Sequence, residues 1–251
     1  MLRTITHPVE GKAPVYDPLG VRLRGLEMTR LETFVDASFA FSVTMLALSP
    51  DRIPTSFQEM YDLLRGIPAF LFSLGILMLF WNSHVVFSRR FGLEDRPIKL
   101  LSVLYIAAML IYVYPLKFMS TAFFGYYFPI LRTPDFLKAG TSNDLASIFI
   151  AMAAGFVVIS ILNALMYVHA HRRRRELALT EHERRVSRCE ITNSLLYAGI
   201  GVLSILLAIV FRNRMAVISA GFVYALLGVV IPVYWVRFGP TNAQIRDATG
   251  G

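Results

Sequence analysis

Asp36 is a carboxylate inside a largely apolar run, between Arg30 and Leu48. A charge within a membrane-spanning stretch is expensive unless it faces protein or water, and such residues mark packing centres or ion and substrate paths. The same run is rich in small and hydroxylated residues: Ala37, Ser38, Ala40, Ser42, Thr44 and Ala47. Small residues let helices approach closely. The run therefore reads as a helix at the centre of an assembly. Phe34, Phe41, Thr44 and Leu48 recur at spacings of seven, three and four, which places them on one stripe. Asp36 is five residues before Phe41, about 140° around the helix at roughly 100° per residue. It must point away from that stripe, toward a neighbouring helix.

Candidate partners stand at Trp81 and His84, in the next apolar segment, and at Arg30, at the mouth of the first helix. An indole N–H or an imidazole N–H would satisfy the carboxylate. His84 and His169 raise the question of haem or metal ligation, but no spacing supports a site. The single cysteine, Cys189, excludes an intrachain disulfide and a cysteine-rich metal centre. No nucleophile–base arrangement is visible, so the chain does not read as an enzyme, and no cofactor or bound metal is expected.

The elements that position these residues follow from composition. The chain is 55% hydrophobic and 17% charged, against about 45–50% and about 25% in soluble proteins. Six all-α transmembrane spans are expected: Arg30–Ser49, Ser56–Arg90, Ile98–Thr121, Asp144–His169, Ser187–Phe211 and Ala216–Phe238. Pro68 is a candidate kink in the second. Residues 122–143 read as an irregular loop, and the charged stretch 170–186 as an extension of the fourth helix into water. No signal peptide is read in residues 1–29, which are polar and expected to be a flexible cytoplasmic segment. Residues 30–238 form the membrane domain and 239–251 a cytoplasmic tail. No internal repeat is apparent.

The net charge is +8, with the basic residues in blocks that flank the spans. That distribution argues for membrane orientation and against a nucleic-acid partner. With the N-terminus inside, eighteen Lys and Arg fall on the inner side and seven elsewhere, which puts both termini in the cytoplasm of a multi-pass cell-membrane protein. The run Arg172, Arg173, Arg174 and Arg175 is a topology signal and a candidate contact for anionic lipid.

The pattern Arg30, Phe34, Asp36 and downstream Thr44 resembles the opening of the first helix in the transmembrane protein 175 family of potassium channels, in its prokaryotic form. Trp81 and His84 match that family's second helix, and Tyr114-Pro115 and Phe123-Phe124-Gly125 resemble its third. The resemblance covers roughly residues 30–125. It implies a homotetramer whose first helices line a central pore, with permeant K+ and membrane lipid as the other partners. The constriction would be apolar, on the stripe Phe41, Thr44 and Leu48. Arg30, Asp36, Trp81 and His84 would form a structural polar cluster. No Thr-Val-Gly-Tyr-Gly filter occurs in the sequence. Two positions depart from the family pattern: Val35 stands where the motif has serine, and Phe41 where the narrowest position is usually Ile or Leu. A secondary transporter, with Asn163 or Lys117 at its site, and a non-conducting structural protein are the competing readings.

Overall fold

The computed structural model describes residues 14–47, 55–128, 142–210 and 223–249. Among these, every regular element is helical apart from one antiparallel bridge between Tyr16 and Arg22. The helices are α1 (Arg30–Ala47), α2 (Phe57–Arg65), α3 (Ile67–Phe91), α4 (Arg96–Tyr127), α5 (Ser142–Arg172) and α6 (Glu181–Val210). A short 3-10 turn (Val223–Leu226), α7 (Leu227–Phe238) and α8 (Asn242–Thr249) follow.

Helix starts are written in the sequence as capping boxes, in which a hydroxyl and a carboxylate three residues apart satisfy each other's backbone N–H. Thr29 and Glu32 do this for α1, at 3.1 and 2.7 Å. Thr180 and Glu183 do it for α6, at 3.2 and 2.9 Å. The second box corrects the reading of residues 170–186. The charged stretch is a compact turn followed by the first turns of α6, so α6 begins at Glu181 instead of Ser187. Pro68 is likewise not a mid-helix kink. It occupies the first turn of α3, where its missing N–H costs nothing. The loop expected from residue 122 begins later, because α4 continues to Tyr127. Phe123 and Phe124 pack on Phe72, at ring separations of 6.2 and 5.9 Å.

Four helical stretches are long and apolar enough to cross a membrane: Phe57–Phe91, Arg96–Gly125, Ala146–Arg172 and Glu181–Val210. The pair Val223–Phe238 and Asn242–Ala248, bent by 59°, raises this to five at most. By length and composition, four or five of the six expected spans are thus found among the described residues. α1 is not in that set because its 18 residues carry Arg30, Glu32 and Asp36. α4 packs against α1, α3 and α5, and α5 forms a long hairpin with α6. The core holds Tyr105, Tyr112 and Tyr167 together with Phe87, Leu116 and Met166, all fully buried.

Residues 14–29, expected to be flexible, are held on one end of the bundle. Asp17 accepts from Nε of the buried Arg90 at 2.7 Å, and Arg90 also reaches Glu190 at 2.7 Å. Arg24 forms a two-pronged ion pair with Glu183 at 2.9 and 2.8 Å. The backbone N–H groups of Arg24 and Gly25 donate to Arg89 O, each at 2.9 Å. Gly92 closes α3 in the left-handed conformation at φ 56°, and its Cα lies 3.3 Å from where a Cβ on Gly25 would stand. That Cβ would also meet Ser88 O at 2.5 Å, so the two backbones can touch only with glycine at position 25. Gly25→Ala is therefore expected to destabilise the protein by about 1–3 kcal/mol. Thermal unfolding in one fixed detergent checks this, and a melting temperature equal to that of the parent would show that the segment does not need the close approach.

Candidate functional site

α1 presents two faces. Val35, Phe39, Ser42 and Leu46 are buried against the bundle, with the Phe39 ring 6.4 Å from Tyr105. The opposite face, formed by Thr33, Phe34, Ala37, Ala40, Phe41, Thr44 and Ala47, is exposed on the single chain. Phe34 and Phe41 are more than half exposed, at 56% and 58%. The stripe expected from spacing therefore lies on the outward face at Phe41 and Thr44; Leu48 lies outside the described residues. A helix that is apolar on both sides buries the second against something else.

Hydroxyl groups along α1 are tied to their own helix. Ser38 donates to Phe34 O at 2.8 Å, Ser42 to Ser38 O at 3.0 Å and Thr44 to Ala40 O at 3.1 Å. Back-bonding of this kind satisfies the hydroxyl proton where no water is available and leaves the oxygen lone pairs free.

Asp36 turns away from the stripe. Its Oδ1 accepts a hydrogen bond from Trp81 Nε1 on α3 at 2.8 Å. Of the two partners offered by α3, the indole makes the direct contact. His84 is fully buried, and its Nε2 lies 3.1 Å from Ser102 Oγ on α4. Its ring is 5.7 Å from Tyr105, whose hydroxyl donates to Phe80 O at 2.9 Å. The expected cluster is thus drawn together at Asp36 and Trp81, with His84 joining α3 to α4. Arg30 stands apart. It is exposed, beside a small surface recess that it shares with Thr29, Leu31, Glu94 and Lys99.

Sequence reasoning missed Ser102 and Tyr105, because nothing in the spacing of α4 sets those residues apart from its other polar side chains. It also missed Asp95, which caps α4 through Ile98 N at 3.3 Å while binding His169 at 2.6 Å and Arg173 at 2.7 Å. An acid followed by Arg96-Pro97 is a helix-start signal, and it could have been read as one. His84 and His169 are engaged by Ser102 and Asp95, on different parts of the fold.

Comparison with known proteins adds three findings. A family model described as "Endosomal/lysosomal potassium channel TMEM175" matches residues 30–115. A protein of Marivirga tractuosa named "Potassium channel" is 28% identical over 240 residues, spanning 93% of this chain and 94% of its own. The fold is similar to the crystal structure of a variant of the potassium channel MtTMEM175, bound to a nanobody–MBP fusion, with a TM-score of 0.78 and 28% identity. That similarity covers 88% of this chain and 97% of the solved one. The matched residues 30–115 contain α1 and α3 whole, and so both sides of the Asp36–Trp81 contact.

Replacing Trp81 by Phe removes the donor and leaves the Asp36 carboxylate short of a partner. Trp81→Phe is expected to lower stability by about 1–3 kcal/mol, and Asp36→Asn, which keeps an acceptor oxygen, by less. Thermal unfolding of both variants in the same detergent tests this. A Trp81→Phe protein that melts with the parent would show that Asp36 does not depend on the indole.

Proposed function

We propose that the chain is a potassium-preferring cation channel of the transmembrane protein 175 family, to which it is similar in sequence and fold, and that its pore is lined by α1. The observation that carries the reading is the outward stripe Phe34, Phe41 and Thr44 on the helix whose polar residue, Asp36, is bound on the inner side. In a homotetramer, four copies of the stripe would meet on the axis. The family resemblance and the similarity to a solved channel support that assembly.

In this reading the narrowest ring is Phe41, followed by Thr44 and Leu48, and no ring of backbone carbonyls is involved. An apolar ring offers an ion no ligands. It passes ions according to what their hydration shells can give up, and potassium gives up water more readily than sodium. The Thr44 oxygen, its proton already donated to Ala40 O, can turn lone pairs toward a passing cation. The aromatic faces at Phe41 also attract cations. Selectivity is therefore weak to moderate. Asp36 and Trp81 hold α1 to α3, His84 joins α3 to α4 behind them, and Arg30 lies at the inner mouth.

Six spans per subunit, counting α1 and the bent C-terminal pair, leave both termini on the cytoplasmic side of the cell membrane. The distribution of Lys and Arg supports that orientation. Residues 30–238 are the channel domain and 239–251 the cytoplasmic tail. Anionic lipid contacts the basic surface around Arg172, Arg173, Arg174 and Arg175.

Reconstitution into planar bilayers with K+ and Na+ on opposite sides tests the function. The reversal potential should shift toward the potassium value, and Phe41→Ala should raise conductance and reduce the shift. Gradient-coupled, saturable flux would replace the channel by a transporter. Unchanged current and ion preference in Phe41→Ala would remove Phe41 from the constriction.

A further inference from the structure

The turn joining α5 to α6 concentrates more positive charge than its neighbours neutralise. Arg173 is engaged, by Asp95 at 2.7 Å and Glu176 at 2.6 Å. Arg172 and Arg175 are exposed. At the end of α5 Arg174 Nη1 donates to His171 O at 3.4 Å, Arg184 and Arg188 share one acid on the first turns of α6, and burial, followed by the charges of Arg174, Arg188 and Arg184, disfavours the protonated His171 ring. Glu181 lies 3.8 Å from Arg184 and 3.5 Å from Arg188, and its side chain is 81% exposed. These separations exceed the roughly 2.7–2.9 Å of a charge-assisted hydrogen bond.

Two buried nitrogens in the group have no hydrogen-bond partner among the described residues: Arg184 Nε and His171 Nδ1. The first is always a donor, and the second is one whenever it carries the ring proton. A buried donor without an acceptor costs free energy that a bound acceptor would recover. Three guanidinium groups exclude a cation from that position. An anion with several oxygens suits both the orphan donors and the surplus charge, and planar guanidinium forks match phosphate in this way. Arg188 and Glu181 also line an open cleft of about 560 Å³ together with His182, Arg185, Gln244 and Asp247. The cleft leaves room for the remainder of a larger ligand.

We propose that His171, Arg174, Arg184 and Arg188 form a binding site for a phosphate anion, either free or carried on a lipid headgroup. The site differs from the consecutive run Arg172–Arg175, because Arg173 is already paired and the convergence comes from the first turns of α6. It stands independently of ion conduction and is read by binding alone.

The test is titration of the full-length protein in neutral detergent with inorganic phosphate, and separately with mixed micelles containing phosphatidylglycerol or phosphatidylcholine. Saturable binding of phosphate is expected if the free anion suffices. Binding of phosphatidylglycerol, with neither phosphate nor phosphatidylcholine bound, would assign the site to an anionic lipid headgroup. In either case Arg188→Gln should weaken binding about tenfold or more, the expected effect of losing one charge-assisted contact, and Arg188→Lys by less. Arg188 has a largely exposed side chain, so its replacement leaves the fold intact, as an unchanged melting temperature would verify. Arg96→Gln, an exposed arginine at the start of α4 and outside the site, should leave binding unchanged. Absence of binding to both phosphate and phosphatidylglycerol would overturn the proposal. So would an equal loss from Arg96→Gln and Arg188→Gln, which would mean diffuse attraction to a basic surface.

Discussion

The hydrogen bond from Trp81 to Asp36 fixes the rotation of α1, and much else follows from that rotation. A carboxylate within a packed helix layer cannot be left without a donor, and α3 supplies an indole at 2.8 Å. With Asp36 anchored, Val35, Phe39, Ser42 and Leu46 face the bundle. Phe34, Phe41 and Thr44 must then face outward. One polar contact and one apolar face thus determine the same orientation independently, and consistency of this kind between levels specifies a single structure.

The bundle is secured at one end by charge. Arg90, 4% exposed at its side chain, lies between Asp17 and Glu190, and Arg24 pairs with the nearly buried Glu183. Breaking such a pair leaves an uncompensated buried charge, which is far more costly than the net contribution of the intact pair. The layer therefore sets register. It ties the segment preceding α1 to the end of α3 and the start of α6, so the entry of α1 is held by two helices. Glu183 contributes twice, as the reciprocal cap of α6 and as the acceptor for Arg24. A change there would loosen both the helix start and the strap.

Much of this was legible in the sequence. The apolar stripe of α1, the inward turn of Asp36 and its candidate partner Trp81 all follow from helical spacing and the cost of a buried carboxylate. The long helices follow from hydropathy. What escaped was of two kinds. Helix limits at α6 moved because Thr180 and Glu183 form a capping box whose signal lay within a stretch dominated by charge. Long-range pairings such as Asp17 with Arg90, 73 residues apart, have no local signature, because any acid at that end of the bundle would have seemed equally available. Arg30 shows the reverse. Its place in a motif suggested a contact with the polar cluster, whereas at the first residue of α1 it is exposed at the bundle end.

The anchor at Asp36 also limits how a pore lined by α1 could open. Rotating the helix by one residue, about 100°, would carry Asp36 away from Trp81 and expose Phe39 and Leu46 in place of Phe41. Such a movement breaks a charge-assisted bond and unpacks the buried face, both in an environment with no water to compensate. Tilting α1 about the Asp36–Trp81 contact disturbs neither, and neither does a change of rotamer at Phe41, whose ring is more than half exposed on the single chain. Within the proposed channel, gating therefore falls to these two motions. Both act on the width of an aromatic ring of side chains, where a small change in radius decides whether water enters.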